Sequence, residues 1–219
     1  MLAAKMRHGN EDWSTLLAEG LVDLGEKPTP ATLDAFAQYG ELLRKWSAAY
    51  NLTTITEPLE VLRHHFLDSV SVLPHLHGPN ILDVGSGAGF PGLVIALLRP
   101  EWNVTVIDSV GKKTRFCAQV AHALGLANVT VMDGRVESAR FSQPFETIVS
   151  RAFASLERFV TLTASHLAPD GRLVAMKGKL ASAELDAVEA MSPRALPLQV
   201  PGLDVTRHVV LMQAGASRS

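Results

Sequence analysis

Ile81-Leu82-Asp83-Val84-Gly85-Ser86-Gly87-Ala88-Gly89-Phe90-Pro91-Gly92 is an apolar run ended by an acid, followed by a glycine cluster that opens into a second apolar segment. The apolar run predicts a buried strand, the glycines a turn with positive φ that lets a ligand approach the backbone, and Pro91 the first turn of a helix. The frame Gly87-Ala88-Gly89-Phe90-Pro91-Gly92 formally satisfies the G-x-G-x-x-G dinucleotide fingerprint, a weak motif when it stands alone. Asp83 argues against that ligand. A dinucleotide sets a doubly anionic pyrophosphate over the turn, and a carboxylate at the strand tip repels it.

In the frame Asp83-x-Gly85-x-Gly87-x-Gly89 the acid suits a ligand carrying positive charge. S-adenosylmethionine has an ammonium and a sulfonium, and its carboxylate can take free N–H groups of the turn. Asp108 ends a second strand-like run, Trp102-Asn103-Val104-Thr105-Val106-Ile107, about 20 residues beyond the glycines, the spacing at which an acid bonds ribose hydroxyls. Both cofactors carry a ribose, so Asp83 alone separates them. The plain alternative is a glycine-capped strand–helix unit in which Asp83 is a satisfied turn acid.

A chain of 219 residues can bury one substantial core, here expected as a domain with an extension. A formal net charge of −2 does not describe a general nucleic-acid binder, so any RNA contact requires a local basic patch. The single Cys117 excludes an intramolecular disulfide and a multi-cysteine zinc site and fits a reducing compartment. No metal is expected. Leu93-Val94-Ile95-Ala96-Leu97-Leu98 stops at Arg99-Pro100, far short of a membrane span, and Met1 to Asn10 lack a signal-peptide core. The reading is a cytoplasmic monomer.

Residues 1–78 read as a helical extension, with amphipathic stretches at 13–24, 30–50 and 58–73. In the second, Leu33, Phe36, Ala37, Leu42, Leu43 and Trp46 recur at helical spacing behind Thr29 as N-cap and Pro30 in the first turn. From 79 to 219 strands at 80–84, 103–108, 128–132, 145–150 and 171–177 alternate with helices at 90–98, 111–124, 155–167 and 179–190, and strands at 195–200 and 206–213 close the chain. This alternation predicts an α/β, mostly parallel, doubly wound sheet of Rossmann-like type with a C-terminal antiparallel hairpin. Ligands of such sheets bind at the carboxyl ends of the strands, where the winding reverses.

The ordered set Asp83 to Gly92, Asp108-Ser109-Val110-Gly111-Lys112-Lys113, Gly134-Arg135-Val136-Glu137, Ser150-Arg151-Ala152-Phe153-Ala154-Ser155-Leu156 and Met176-Lys177-Gly178 resembles the RsmG (GidB) family. Tyr50-Asn51-Leu52-Thr53 and His65-Phe66-Leu67-Asp68-Ser69 fit the same family, so the resemblance spans nearly the whole chain. It implies a bacterial S-adenosylmethionine-dependent methyltransferase that modifies N7 of one guanine in 16S rRNA, within a small-subunit particle. Carried over by position, Gly85, Phe90, Val136, Glu137 and Arg151 are implied cofactor contacts, beside Asp83, Gly87 and Asp108 from the residue reading. Arg151 has three open roles: the cofactor carboxylate, an RNA phosphate, or a structural partner of Asp83 or Glu137. The chain departs from the family at His64, where Arg or Lys is usual; Arg63 faces elsewhere on a helix. His65 and Asp68 share a helical face, either for catalysis or to fix the extension.

Guanine N7 is already a nucleophile, so the implied reaction needs alignment and no general base. The segment Ser150-Arg151-Ala152-Phe153 stands where amine methyltransferases commonly carry Asp or Asn, Pro, Pro, Tyr or Phe. Cys117 falls on the wrong element for attack on a pyrimidine and reads as a small buried hydrophobe. Phe153 is placed either on an extruded guanine or in the core. Arg135, Lys177, Lys179 and Lys112 are the RNA-binding candidates, with Lys112, Lys113 and Arg115 in a helix first turn where cations suit a bound anion. Other classes compatible with the chain are a small-molecule methyltransferase, an NAD-dependent oxidoreductase and a noncatalytic nucleotide- or RNA-binding module.

Overall fold

The computed structural model describes residues 7–8, 11–151, 153 and 155–213. Ala152 and Ala154 of the motif after the fourth strand lie outside the described residues. Among the described residues three α-helical segments and a 3₁₀ turn at Leu73–His75 precede the sheet. Helix α1, Trp13–Asp23, starts at Asp12, whose carboxylate accepts the Ser14 N–H, and buries Trp13, Leu17 and Leu21. Helix α2, Pro30–Tyr50, has the predicted cap, with the Thr29 hydroxyl accepting from Thr32 N–H, and ends at Asn51 in the left-handed region at φ 50°. Helix α3, Pro58–Val61, continues through a π-helical stretch at Leu62–Leu67 into a last α-turn at Asp68–Val70.

The sheet strands are β1 Asn80–Val84, β2 Asn103–Asp108, β3 Val129–Asp133, β4 Phe145–Ser150, β5 Leu167–Lys177, β6 Arg194–Leu198 and β7 Arg207–Met212. Their order across the sheet is β3-β2-β1-β4-β5-β7-β6. The first five run parallel, and β7 pairs antiparallel with both β5 and β6, so the predicted closing hairpin is inserted with β7 inside. Helices α4 Gly92–Leu98, α5 Gly111–Ala123, α6 Leu156–Thr163 and α7 Ser182–Asp186 connect the strands.

Two expectations differ. The helix expected at 179–190 is a single short helix, α7, plus a 3₁₀ turn at Glu189–Met191, with Val188 between them buried in the core. The helix expected at 155–167 stops at Thr163, and Leu167 already begins β5, four residues before the predicted strand.

Each face of the sheet has a core. Leu82, Ile148, Phe159, Leu173 and Val210 belong to one cluster, while Trp13, Phe36, Tyr39, Phe66, Phe90, Val94 and Phe116 belong to the other. The second cluster runs without a break from the N-terminal helices into the sheet layer. Its center is aromatic: Tyr39 lies 5.3 Å from Phe66 and is stacked on Phe90 at 5.2 Å, and the Tyr39 hydroxyl donates to the Ala88 carbonyl at 2.7 Å. Helix α2 is thereby tied to the glycine turn.

Candidate cofactor cleft and its arginine wall

The winding reverses between β1 and β4, because the chain leaves β3 at one edge and returns on the other side of β1. The crevice at the carboxyl ends of these strands is where ligands of such sheets bind. A cavity of about 290 Å³ opens there, with Gly85, Asp108, Arg135, Val136, Glu137 and Phe153 in its lining. The structure thus brings together four of the predicted cofactor residues, Gly85, Asp108, Val136 and Glu137.

Gly85, Gly87 and Gly89 have φ of 71°, 60° and 88°, the left-handed region predicted for the turn. They serve different ends. A Cβ at Gly89 would sit 2.5 Å from the Tyr39 hydroxyl and from Leu93 Cδ1, whereas at Gly87 the nearest atom is the Gly85 carbonyl oxygen at 3.9 Å. Gly89 is required by packing and Gly87 by backbone conformation alone.

Asp108 binds the turn from the neighboring strand. Its Oδ2 accepts the Gly87 N–H at 2.9 Å and its Oδ1 the Val110 N–H at 2.9 Å, with Lys113 Nζ 3.7 Å from Oδ2. Each oxygen keeps a lone pair for a ribose hydroxyl. The expectation of free turn donors is corrected: the N–H groups of Gly85 and Ser86 go to the Ile107 carbonyl, those of Gly89 and Phe90 to Ser86, and that of Gly87 to Asp108. The turn must satisfy its own backbone because it is buried under α2.

Asp83 is placed beneath the turn, fully buried, and not in the cavity wall. Its Oδ2 accepts the Gly92 N–H at the start of α4, 2.8 Å away, while Oδ1 has no hydrogen-bond partner among the described residues. Burial pushes its pKa up to about 7, against the lowering effect of the Gly92 N–H. Asp83 is therefore not the fixed negative charge that the sequence reading assumed. Gly92 makes this approach possible, since a Cβ there would lie 2.8 Å from Asp83 Oδ2 and 2.5 Å from Val106 Cγ1.

Phe90, expected to close over a ligand, is instead a core residue, 2 % exposed. Its ring lies between Tyr39 and His65, the latter stacked at 4.7 Å, and Arg151 Cζ is 5.3 Å from the ring centroid. His65 is held neutral, its pKa lowered to about 3 by burial and then by the Arg151 charge.

Arg151 has a structural partner, but neither Asp83 nor Glu137. Its Nη1 donates to Asp68 Oδ2 at 3.1 Å and to the His64 carbonyl at 2.9 Å. The opposite oxygen of Asp68, Oδ1, accepts from Arg207 Nε at 3.0 Å. This hub escaped the sequence reading except for the shared face of His65 and Asp68; Arg207 lies 139 residues from Asp68, beyond any local pattern.

The RNA candidates divide. Arg135 and Lys179 are exposed. The Lys177 ammonium pairs with Glu184 at 2.7 Å, and its side chain is 11 % exposed. Lys112 Nζ donates to the Tyr50 carbonyl at 2.7 Å, so the C-terminus of α2 supplies a negative pole to a cation in the first turn of α5. Phe153 packs on Phe159 at 5.1 Å while lining the cavity. Cys117 is buried, with Sγ 3.6 Å from the Gly87 carbonyl oxygen, and burial pushes its thiol pKa far up. Among the described residues no group of three His, Cys, Asp or Glu side chains is placed to hold a metal, and no helix is long and apolar enough to cross a membrane.

The fold is similar to that of a SAM-dependent methyltransferase from Aquifex aeolicus, with a TM-score of 0.53 and 18% identity over 69% of this chain and 92% of that one. It is equally similar to a TehB-like SAM-dependent methyltransferase from Corynebacterium glutamicum, with a TM-score of 0.53 and 17% identity over 81% of this chain and 96% of the other. Residues 32–210 match the sequence model of the family described as rRNA small subunit methyltransferase G. Ribosomal RNA small subunit methyltransferase G of Methylobacillus flagellatus is 42% identical over 90% of this chain and 97% of its own length. The protein of the same name from Nitrosospira multiformis is 44% identical over 92% and 98%. With its sequence matched over nearly its whole length and its strands wound as in methyltransferases, this chain belongs to the rRNA small subunit methyltransferase G family.

Proposed function

We propose that this chain transfers a methyl group from S-adenosylmethionine to N7 of one guanine in 16S rRNA, presented in a small-subunit particle in the cytoplasm. The observation that carries the reading is the cleft at the reversal point, which gathers Gly85, Asp108, Val136 and Glu137 at the ends of β1 to β3. The enzyme acts as a monomer, with residues 1–78 as a helical extension on a methyltransferase domain of 79–219. The choice of N7 rests on the family resemblance.

The lining fits the cofactor. Asp108 offers lone pairs to ribose hydroxyls and the apolar Val136 suits an adenine ring. When bound, S-adenosylmethionine supplies an electrophilic methyl on a sulfonium sulfur. Guanine N7 presents an in-plane lone pair, so the protein's task is alignment and exclusion of water, and no proton has to be removed. The surrounding groups agree: His65 is neutral and engaged with Thr53 at 3.1 Å, and Cys117 is locked in the core as a thiol.

The test is transfer of labeled methyl from S-adenosylmethionine to small-subunit particles from cells lacking this protein, with cleavage mapping of N7-methylguanine. The expected result is one labeled guanine, lost in Gly85→Asp. Cofactor binding without label in particles or naked RNA would refute the reading and leave a small-molecule methyltransferase or a binding module.

A further inference from the structure

A second cavity, of about 270 Å³, lies apart from the cofactor cleft and shares none of its lining residues. Two residues that follow β4 face different cavities: Arg151 lines the second and Phe153 the first. The π-helical stretch supplies His64 and His65 to the second cavity, with Asp68 next in the chain, and local π geometry recurs at functional sites.

Arg151, Lys177 and Arg207 line this cavity together with one carboxylate, Asp68, and the Lys177 ammonium pairs with Glu184 outside it. Among the described residues the two guanidiniums share Asp68, a side chain only 3 % exposed, one on each of its oxygens. One carboxylate between two guanidiniums gives this wall a positive balance that suits an anion. Arg207 is the one with donors to spare. Among the described residues it donates only through Nε, and its side chain is 26 % exposed. Apolar Ile55, Met176 and Leu198 line the cavity too, beside His208.

We propose that this cavity is the subsite for the acceptor nucleotide of the RNA, with the base against Ile55, Met176 and Leu198 and a phosphate on the terminal guanidinium nitrogens of Arg207. Asp68 is the positioning residue that holds Arg207 toward the phosphate and Arg151 in the wall. A planar base needs an apolar surface and a phosphate needs a guanidinium fork, and this cavity has both beside the cofactor cleft. The inference rests on the methyl-transfer reading and deepens it.

The experiment compares wild type with Arg207→Met, Arg207→Lys and Ile55→Trp in methyl transfer to small-subunit particles across a salt series, with S-adenosylhomocysteine affinity measured in parallel. Arg207→Met is expected to lower kcat/KM at least about tenfold and to flatten the dependence of log kcat/KM on log salt by about 0.7, the contribution of one single-strand phosphate contact. Arg207→Lys restores the slope. Ile55→Trp, which fills the cavity without altering charge, is expected to lower transfer by a similar factor, and all four proteins to bind S-adenosylhomocysteine within twofold of each other. An unchanged slope in Arg207→Met, transfer within twofold of wild type in Ile55→Trp, or loss of cofactor affinity in Arg207→Met each overturns the proposal. If wild type itself moves no methyl, the functional reading fails; equilibrium binding of the particles then decides the subsite, and equal salt slopes for wild type and Arg207→Met overturn it.

Discussion

Replacing Asp83 by Asn should remove a pH dependence that is buried beneath the glycine turn. In the folded chain the pKa of Asp83 is raised from 3.8 to about 7, chiefly by burial. A carboxyl with a raised folded pKa binds its proton more tightly in the native state, so it favors folding least at high pH: stability falls as pH rises from about 4, and the full cost is present above 7. The shift of about 3 units corresponds to about 4 kcal/mol, of which roughly 2–3 kcal/mol develops between pH 5 and pH 8. Asn keeps an oxygen for the Gly92 N–H and has no charge to desolvate. Urea unfolding of both proteins at intervals from pH 5 to pH 8 isolates the effect, because every other titrating group is common to both and cancels in the difference. The Asn variant should gain roughly 2–3 kcal/mol on the wild type across that range. A difference that stays constant with pH would refute the reasoning and return Asp83 to the role of a fixed negative charge under the turn.

Tyr39→Phe should cost about 1–3 kcal/mol in urea unfolding, because it leaves the buried Ala88 carbonyl without the donor now 2.7 Å away, and should weaken S-adenosylhomocysteine binding by loosening the glycine turn. Gly92→Ala should destabilize by about 1–3 kcal/mol through overpacking against Val106 and the Asp83 carboxyl, read as a lower midpoint in the same assay. Asp68→Ala strips the shared acid from two guanidiniums and should cost about 3–5 kcal/mol, whereas Arg207→Met, which leaves the Arg151 pair in place, should cost clearly less. Cys117 should not react with an aromatic disulfide reagent in the native state and should release one equivalent on unfolding, since it is buried and held as the thiol.

Much of the fold was legible because its signals are local. The apolar runs at β1, β2 and β4 matched their strands to the residue, and Thr29-Pro30 marked the start of α2, since strand and cap signals depend on a few adjacent side chains. Positive φ at Gly85, Gly87 and Gly89 was likewise readable from residue type. The ends of α6 and the shortness of α7 were not, because they depend on whether a neighboring layer buries a stripe.

The sequence by itself determined the order of elements, the glycine turn and the acid at the end of β2, and hence a nucleotide-type cleft at the reversal of a parallel sheet. Only the tertiary structure decided what the charged and aromatic residues around that cleft do. Asp83 changed from a ligand's counter-charge to a buried, readily protonated acid because it is sealed from water beneath the turn, against Gly92 at the start of α4. Lys112 and Lys177 found partners in Tyr50 and Glu184, and Arg151 was drawn to Asp68 alongside Arg207, from segments far apart in the chain. Residue type sets which interactions a side chain can make, but burial and the proximity of a partner set its protonation state and which interaction it makes, and both are properties of the folded chain.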